Sequence, residues 1–370
     1  MNSAKRILIY RLGSLGDTVV AIPCFHLIRR AFPSAHITVL TNHPVEAKAA
    51  PLASVLDGSG LFDELLDYPV ELRQLRQIVD LRNRIRAGNF DVVVHLTAAR
   101  GLINSIRDYF FFRWCGIPRV IGVPFRDVGL DSVRIAPGRH EAESLRLVNR
   151  LRKLGQIDLR HRESWDLRLT SKERDEAERL LREGRISSPF LALSLGSKLA
   201  VKDWTPENWK KLLRGLSGPY PQLSILAVGA EEERSVVDAA LAAWKGAMAN
   251  LCGRTSARVS AALLERASLF IGHDSGPLHL AAAVGTPCVA IFSGHGPPGQ
   301  WFPCGDKNII LLPEKLCALC SRADCRQING KCILSISVDE VFAAVKQQLG
   351  SISPSSDRSP NEDPSLYSHA

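Results

Sequence analysis

Residues 273–287, HDSGPLHLAAAVGTP, lie between two apolar runs, LFIG and CVAIF, and hold an acid, a serine, two histidines, two glycines and two prolines. Asp274 or Ser275 is placed to cap a helix, Pro277 suits its first turn, and Gly285 with Pro287 stops it. The peptide therefore reads as strand, tight turn and short helix. Such a turn presents unpaired backbone N–H groups at the positive end of a helix dipole, which favours a bound phosphate. Gly276 lets a ligand approach the backbone, and His279 stands one turn into the helix on the side that can face the same anion. A plain capped turn, with His279 satisfied in the core, is the competing reading.

Two more strand ends carry similar chemistry. In RILIYRLGSLGDTVV a strand breaks into a turn with Gly13, Ser14 and Gly16, and Asp17 sits at the start of the next helix. The helix dipole stabilises an ionised Asp17, and an ionised carboxylate at a cleft edge can accept a proton from an attacking hydroxyl. In FLALSLGSKLAVKDWTPENW the strand ends at Gly196 and Ser197, Lys198 and Lys202 follow, and Thr205, Pro206 and Glu207 start a helix in capping order. A lysine just before that helix can meet a diphosphate as a point charge. A further strand end, VGAEEER, offers an acid for ribose hydroxyls, with Glu232 favoured among Glu231, Glu232 and Glu233.

These joints need a frame, and the apolar runs supply it. Residues 6–10, 36–40, 91–96 and 119–123 are short, branched and separated by segments of helical period; the pattern restarts at 190–195, 223–228, 269–272, 288–292 and 309–312. Alternation of this kind predicts two α/β units with parallel sheets. At 370 residues the chain has room for two domains and a tail. TSKERDEAERLLREGRISSP reads as a linker helix capped by Thr170 or Ser171, residues 335–349 as a closing helix, and the polar, proline-rich stretch from Gly350 as a disordered tail.

The net charge of +9, rich in arginine through the first half, asks for an anionic partner. No apolar run approaches a membrane span, and MNSAKRILIYRLG passes from charge into a strand without a signal-peptide core, so a cytoplasmic protein is expected. Nucleic acid is a poor fit, because aromatic interleaving and a recognisable binding module are missing. An oxidoreductase of tandem α/β domains would show GxGxxG with an acid about twenty residues on, which neither RLGSLGD nor GHDSGP matches.

Taken together, RLGSLGDTVVAIP, VKDWTPENW and HDSGPLHLAAAVGTPCVAIFSG, in this order, resemble glycosyltransferase family 9, whose best-known members are the ADP-heptose:lipopolysaccharide heptosyltransferases. The likeness runs from about residue 5 to about residue 349. It implies an α/β fold of GT-B architecture: two Rossmann-like domains facing across a cleft, an acceptor-binding domain over 1–168, a linker over 169–188, a nucleotide-sugar-binding domain over 189–349 and a tail over 350–370. It implies an inverting transfer of a sugar, a heptose from an ADP-linked donor, to a hydroxyl of an anionic, lipid-linked core saccharide, without a catalytic metal and with peripheral membrane contact. By motif match Asp17 is the general base with Ser14 and Gly16 shaping its turn. Lys202 neutralises the donor phosphates beside Ser197 and Lys198, and Asp274, Ser275, Gly276 and His279 form the diphosphate turn. Where many relatives carry an acid and a glutamine or glycine, this chain has His95 and Thr97, so acceptor contacts are expected to differ. A nucleotide-sugar epimerase of the same architecture and a non-catalytic glycan-binding relative are the alternatives.

Nine cysteines in such a chain argue against a disulfide framework. Cys317, Cys320, Cys325 and Cys332 could close a structural zinc site, remain free thiols or pair as disulfides. Cys24, Cys115, Cys252, Cys288 and Cys304 read as small buried hydrophobes.

Overall fold

The computed structural model of the chain describes residues 4–42, 51–70, 74–125, 134–136, 139–314 and 332–351. The first half builds a five-stranded parallel sheet from β1 (Arg6–Tyr10), β2 (His36–Asn42), β3 (Glu64–Tyr68), β4 (Val92–His95) and β5 (Arg119–Ile121), in the order β3-β2-β1-β4-β5. After a short antiparallel ribbon, β6 (Arg134–Ala136) with β7 (Arg139–His140), the second half builds a six-stranded parallel sheet. Its strands are β8 (Phe190–Ser194), β9 (Ser224–Ala227), β10 (Met248–Asn250), β11 (Leu269–His273), β12 (Cys288–Ile291) and β13 (Ile309–Leu311), in the order β10-β9-β8-β11-β12-β13. Each half is thus a doubly wound α/β sheet, as the sequence pattern predicts. Both orders reverse direction beside their first strand, at β1/β4 and at β8/β11, and such a switch point opens a crevice at the carboxyl ends of the strands.

The central strands are buried on both faces, which is why they read as unbroken apolar runs. Along β1, Ile7 and Ile9 face one cluster while Leu8 and Tyr10 face another. The helices of the first half are α1 (Leu15–Val20), α2 (Ile22–Ala31), α3 (Ala53–Leu56), α4 (Leu75–Ala87), α5 (Leu102–Trp114) and α6 (Glu143–Arg150). Helix α7 (Ser171–Glu183) follows, begun by a capping box in which Glu173 accepts from the Thr170 N–H at 2.7 Å. The second half adds α8 (Pro206–Ser217), α9 (Arg234–Leu241), α10 (Ala257–Arg266), α11 (Gly276–Ala283) and α12 (Val338–Ser351).

The halves are joined by more than the linker. One apolar cluster runs from Ile7, Ile9 and Phe25 of the first half to Phe270, Leu278 and Ala281 of the second. Arg258 of α10, almost fully buried, donates to the carbonyls of Val55 and Leu167 at 2.9 Å each and pairs with Glu173, clamping first half, linker and second half together. At another margin the His140 N–H donates to Pro298 O at 2.7 Å, and Gln300 Nε2 donates to the buried Glu143 carboxylate at 3.1 Å.

Candidate active site

Gly13 sits at φ 122°, a backbone conformation that side-chain-bearing residues rarely adopt, and a Cβ there would lie 2.6 Å from Asp17 Cβ. That lets the chain fold tightly after β1 and brings Asp17 to the third residue of α1. The Ser14 N–H and hydroxyl both donate to Asp17 Oδ2, at 2.7 and 2.9 Å. Arg11, fully buried and absent from the sequence-based site, donates to the main-chain carbonyls of Asp17 and Leu96 and so braces the turn against the end of β4. Its two positions before Gly13 carried no signal in the sequence, since an arginine beside a strand looks like any exposed one.

Across from this turn stands the start of α11, with Ser275 at its N-cap. The Ser275 hydroxyl is buried without a hydrogen-bond partner among the described residues, at the mouth of a helix whose first N–H groups are open. His279 is buried one turn further on. Burial pushes its pKa down, and the negative charges of Asp274 and Asp17 only partly oppose this. The two glycine turns touch: a Cβ on Gly16 would come 3.1 Å from His279 Cδ2, and one on Gly276 would come 2.6 Å from Leu15 Cδ2. Glycine at both positions is what allows α1 and α11 to approach end to end.

Lys202 lies in a short helical turn after β8 and forms an ion pair with Asp274 at 2.5 Å. Asp274 thus lines the cleft as the partner of Lys202. Its carboxylate can only accept hydrogen bonds and would repel a diphosphate; it holds the lysine instead. His273, unassigned in the sequence, is fully buried and supports the same segment: its Nε2 accepts the Trp204 N–H at 3.2 Å. Burial depresses its pKa to about 4, so the ring is the neutral acceptor that this bond requires. Trp204 Nε1 in turn donates to Ile336 O at 2.8 Å, and Thr205 is β-branched yet held at φ 76° before Pro206. Ser197 turns its hydroxyl onto Leu199 O at 3.0 Å, and Lys198 is exposed at the rim.

Of the three glutamates after β9, Glu233 lines the cleft and Glu232 does not. Glu231 is held by a two-point bond with Arg234, at 2.7 and 2.8 Å, and Glu232 points to solvent outside the cleft wall. Glu233 comes back over the glycines, where a Cβ on Gly196 would meet its Oε1 at 1.8 Å and one on Gly229 its Oε2 at 2.2 Å. A helical turn begins at Glu231, and its rotation selects the third glutamate of the run.

Ser14, Gly16, Asp17, Ser197, Lys198, Lys202, Glu233, Asp274, Ser275, Gly276 and His279 all line one cleft of about 620 Å³ between the two sheets, a volume typical of small-ligand sites. Thr255, Ser260 and Trp301 complete its walls. A hollow of about 700 Å³ lies apart from it, around His26, Arg29 and Arg168; it holds none of these residues, and Arg29 there is tied to Asp63 at 2.8 Å.

A model of glycosyltransferase family 9 (heptosyltransferase) matches residues 78–329, more than half of the chain. The chain belongs to that family. It is 24% identical to lipopolysaccharide heptosyltransferase 3 of Escherichia coli strain K12, over 93% of this chain and 98% of the relative. Among solved structures, a family 9 glycosyltransferase of Veillonella parvula superposes with TM-score 0.73 at 20% identity, covering 94% of this chain and 98% of that one. The E. coli heptosyltransferase WaaC with ADP gives 0.62 at 15% identity, with 93% and 99% covered. At such identities the superpositions speak for the fold alone, which is GT-B.

His95 is buried, with Nε2 3.1 Å from Asp108 Oδ2, and its pKa is pushed down by burial against the partial opposition of Asp108. One expectation about this glycosyltransferase changes. Cys304 is half-buried, while Cys24, Cys115, Cys252 and Cys288 are buried as read. Cys317, Cys320 and Cys325 lie outside the described residues, as does the chain beyond Ser351; Cys332 is described, its Sγ accepting the Gly294 N–H at 3.0 Å.

Proposed function

We propose that this family 9 glycosyltransferase moves a heptose from an ADP-linked donor to a hydroxyl of a lipopolysaccharide core saccharide, with inversion at the anomeric carbon. The observation that carries the reading is the contact of the two glycine turns, which sets Asp17 from one sheet and the diphosphate-suited start of α11 from the other into one cleft. The names of the relatives, a lipopolysaccharide heptosyltransferase and a heptosyltransferase with ADP, supply the sugar and the nucleotide.

In this reading the diphosphate lies against the Gly276 and Leu278 N–H groups and takes the open Ser275 hydroxyl, with Lys202 supplying a full positive charge. Asp274 positions that lysine, and Glu233 accepts from the ribose hydroxyls. The acceptor oxygen attacks the anomeric carbon from the Asp17 side and forms the new C–O bond. The bond to the diphosphate oxygen breaks, its electron pair leaves with ADP, and Asp17 takes the acceptor proton. Attack and departure on opposite faces invert the centre. Lys202, His279 and the helix dipole face the leaving charge, so transfer is expected to continue in a chelating buffer.

Asp17→Asn tests this. The amide keeps an oxygen for Ser14 but cannot take a proton, so donor binding by calorimetry should stay within a few-fold while kcat falls by about a hundredfold to ten-thousandfold. Parent-like turnover in Asp17→Asn removes the base; an epimerase would instead release a changed donor with no acceptor present.

A further inference from the structure

Helix α5 has a buried side and, opposite it, an exposed apolar one. Its inner side carries Ser105, Asp108 and Phe112 into the protein, where the Phe112 ring packs 5.2 Å from that of Tyr10. On the opposite side Ile103, Ile106, Phe110 and Trp114 recur at spacings of three, four and four, which the helical period places in one row. All four are exposed, Ile103 to 83% and Phe110 to 65%. Phe125, also exposed, extends the patch through Tyr109, 5.7 Å from ring to ring. A row of large apolar side chains this long is a contact surface rather than chance scatter.

Its border identifies the partner. Arg107 and Arg113 flank the row and stay exposed, although Arg107 also pairs with Asp108 and Arg113 donates through Nη1 to the Ile117 and Pro118 carbonyls, and the Arg82 guanidinium lies 4.8 Å over the Trp114 ring. The single acid of α5, Asp108, is turned inward and held by His95, Arg100 and Arg107. The outward side is thus apolar at its centre and cationic at its edge, with an indole at one end. That is the make-up of a helix lying in an anionic lipid interface. A second copy of this +9 chain would bring its own arginines against these.

The placement relative to the cleft agrees. Helix α5 begins a few residues after β4 ends at His95, which pairs in register with Tyr10, the last residue of β1 before the Asp17 turn. The start of α5 therefore lies at the carboxyl end of the sheet, the end at which the Asp17 turn leaves β1. Thirteen residues make a helix about 20 Å long, enough to rest in the headgroup plane.

We propose that α5 docks this protein on an anionic bilayer, with Ile103, Ile106, Phe110 and Trp114 entering the interface and Arg107 and Arg113 meeting lipid phosphates. The contact needs no sugar substrate, so it stands or falls apart from the transferase reading.

The test is co-sedimentation of the full chain with vesicles of phosphatidylcholine and phosphatidylglycerol, and with phosphatidylcholine alone. The parent should pellet with the anionic vesicles, less with the neutral ones, and progressively less as salt rises. An Ile103→Glu, Phe110→Glu double variant should lose at least about tenfold in partition coefficient. It should keep the parent's unfolding temperature and its turnover of a water-soluble acceptor. A parent that stays in solution with anionic vesicles overturns the proposal. So does a double variant that binds as the parent does, which would reduce the effect to bulk charge. A parent that is dimeric in solution, made monomeric by the two substitutions, would assign the row to a second copy.

Discussion

The most informative residue is Asp274, whose carboxylate lies between Lys202 at 2.5 Å and His279 at 3.9 Å, the arrangement of a group that aims a cation. A lysine tethered this way is held at the cleft while no ligand is present, and a diphosphate has only to compete for a charge already in place. The three consecutive glutamates show how finely rotation about one turn decides chemistry. Glu233→Gln keeps the volume packed over Gly196 and Gly229 but removes the charge that we propose accepts ribose hydroxyls. We expect KM for the nucleotide sugar to rise by about tenfold, the worth of a charge-assisted hydrogen bond, while Glu232→Gln changes nothing. Steady-state kinetics on the two variants would separate them, and the reverse ranking would return the role to Glu232. That the run offers an acid to the cleft was legible; which member was not, because the sequence does not show where the 3-10 turn over Glu231–Glu233 begins.

At the scale of elements, the central strands stood out in sequence because burial on both faces makes them uniformly apolar. Strands β3 and β10 did not. Both lie at sheet edges, where β3 (ELLDY) keeps two acids and exposed positions and β10 (MAN) has three residues, so neither reaches the length or apolarity that marks a strand. The glycine turns were visible as composition, and their roles were set by what they approach. Gly13→Ala would force a side chain onto φ 122° and against Asp17, which should cost about 1–3 kcal/mol of stability or displace α1. Denaturant unfolding together with transfer rates would show it: loss of both is expected, and full activity at parent stability would mean that the turn does not constrain Asp17. The closing helix, Val338–Ser351, begins three residues later than its sequence pattern, because the Ser337 hydroxyl and N–H meet Glu340 in a capping box, each at 2.7 Å, and it ends two residues later, taking in Gly350 and Ser351 that read as tail.

At the scale of the molecule, one continuous apolar cluster and the Arg258 clamp tie the halves, so the cleft is the gap left by a packed interface, not a seam between free bodies. Buried histidines make that arrangement sensitive to acid. His273 has its pKa depressed from 6.5 to about 4 in the fold, so the unfolded chain binds its proton first. The stability that the neutral ring contributes is complete above pH 6.5 and is lost as pH falls towards 4, with His95 and His279 acting in the same direction. Unfolding temperatures across that window should therefore fall for the parent and fall less steeply for His273→Asn; equal slopes would show that His273 does not carry the effect. By itself the sequence determined two parallel α/β units, the three glycine-bearing strand ends and the residue types able to handle a diphosphate and a proton, since periodicity and turn chemistry are local properties of a chain. Only the tertiary structure decided that Asp274 serves Lys202, that Glu233 rather than Glu232 enters the cleft, that His95 turns inward to Asp108 and that α5 leaves an apolar row uncovered. Each of these depends on which groups, distant along the chain, the packing brings face to face, and no local pattern encodes that pairing.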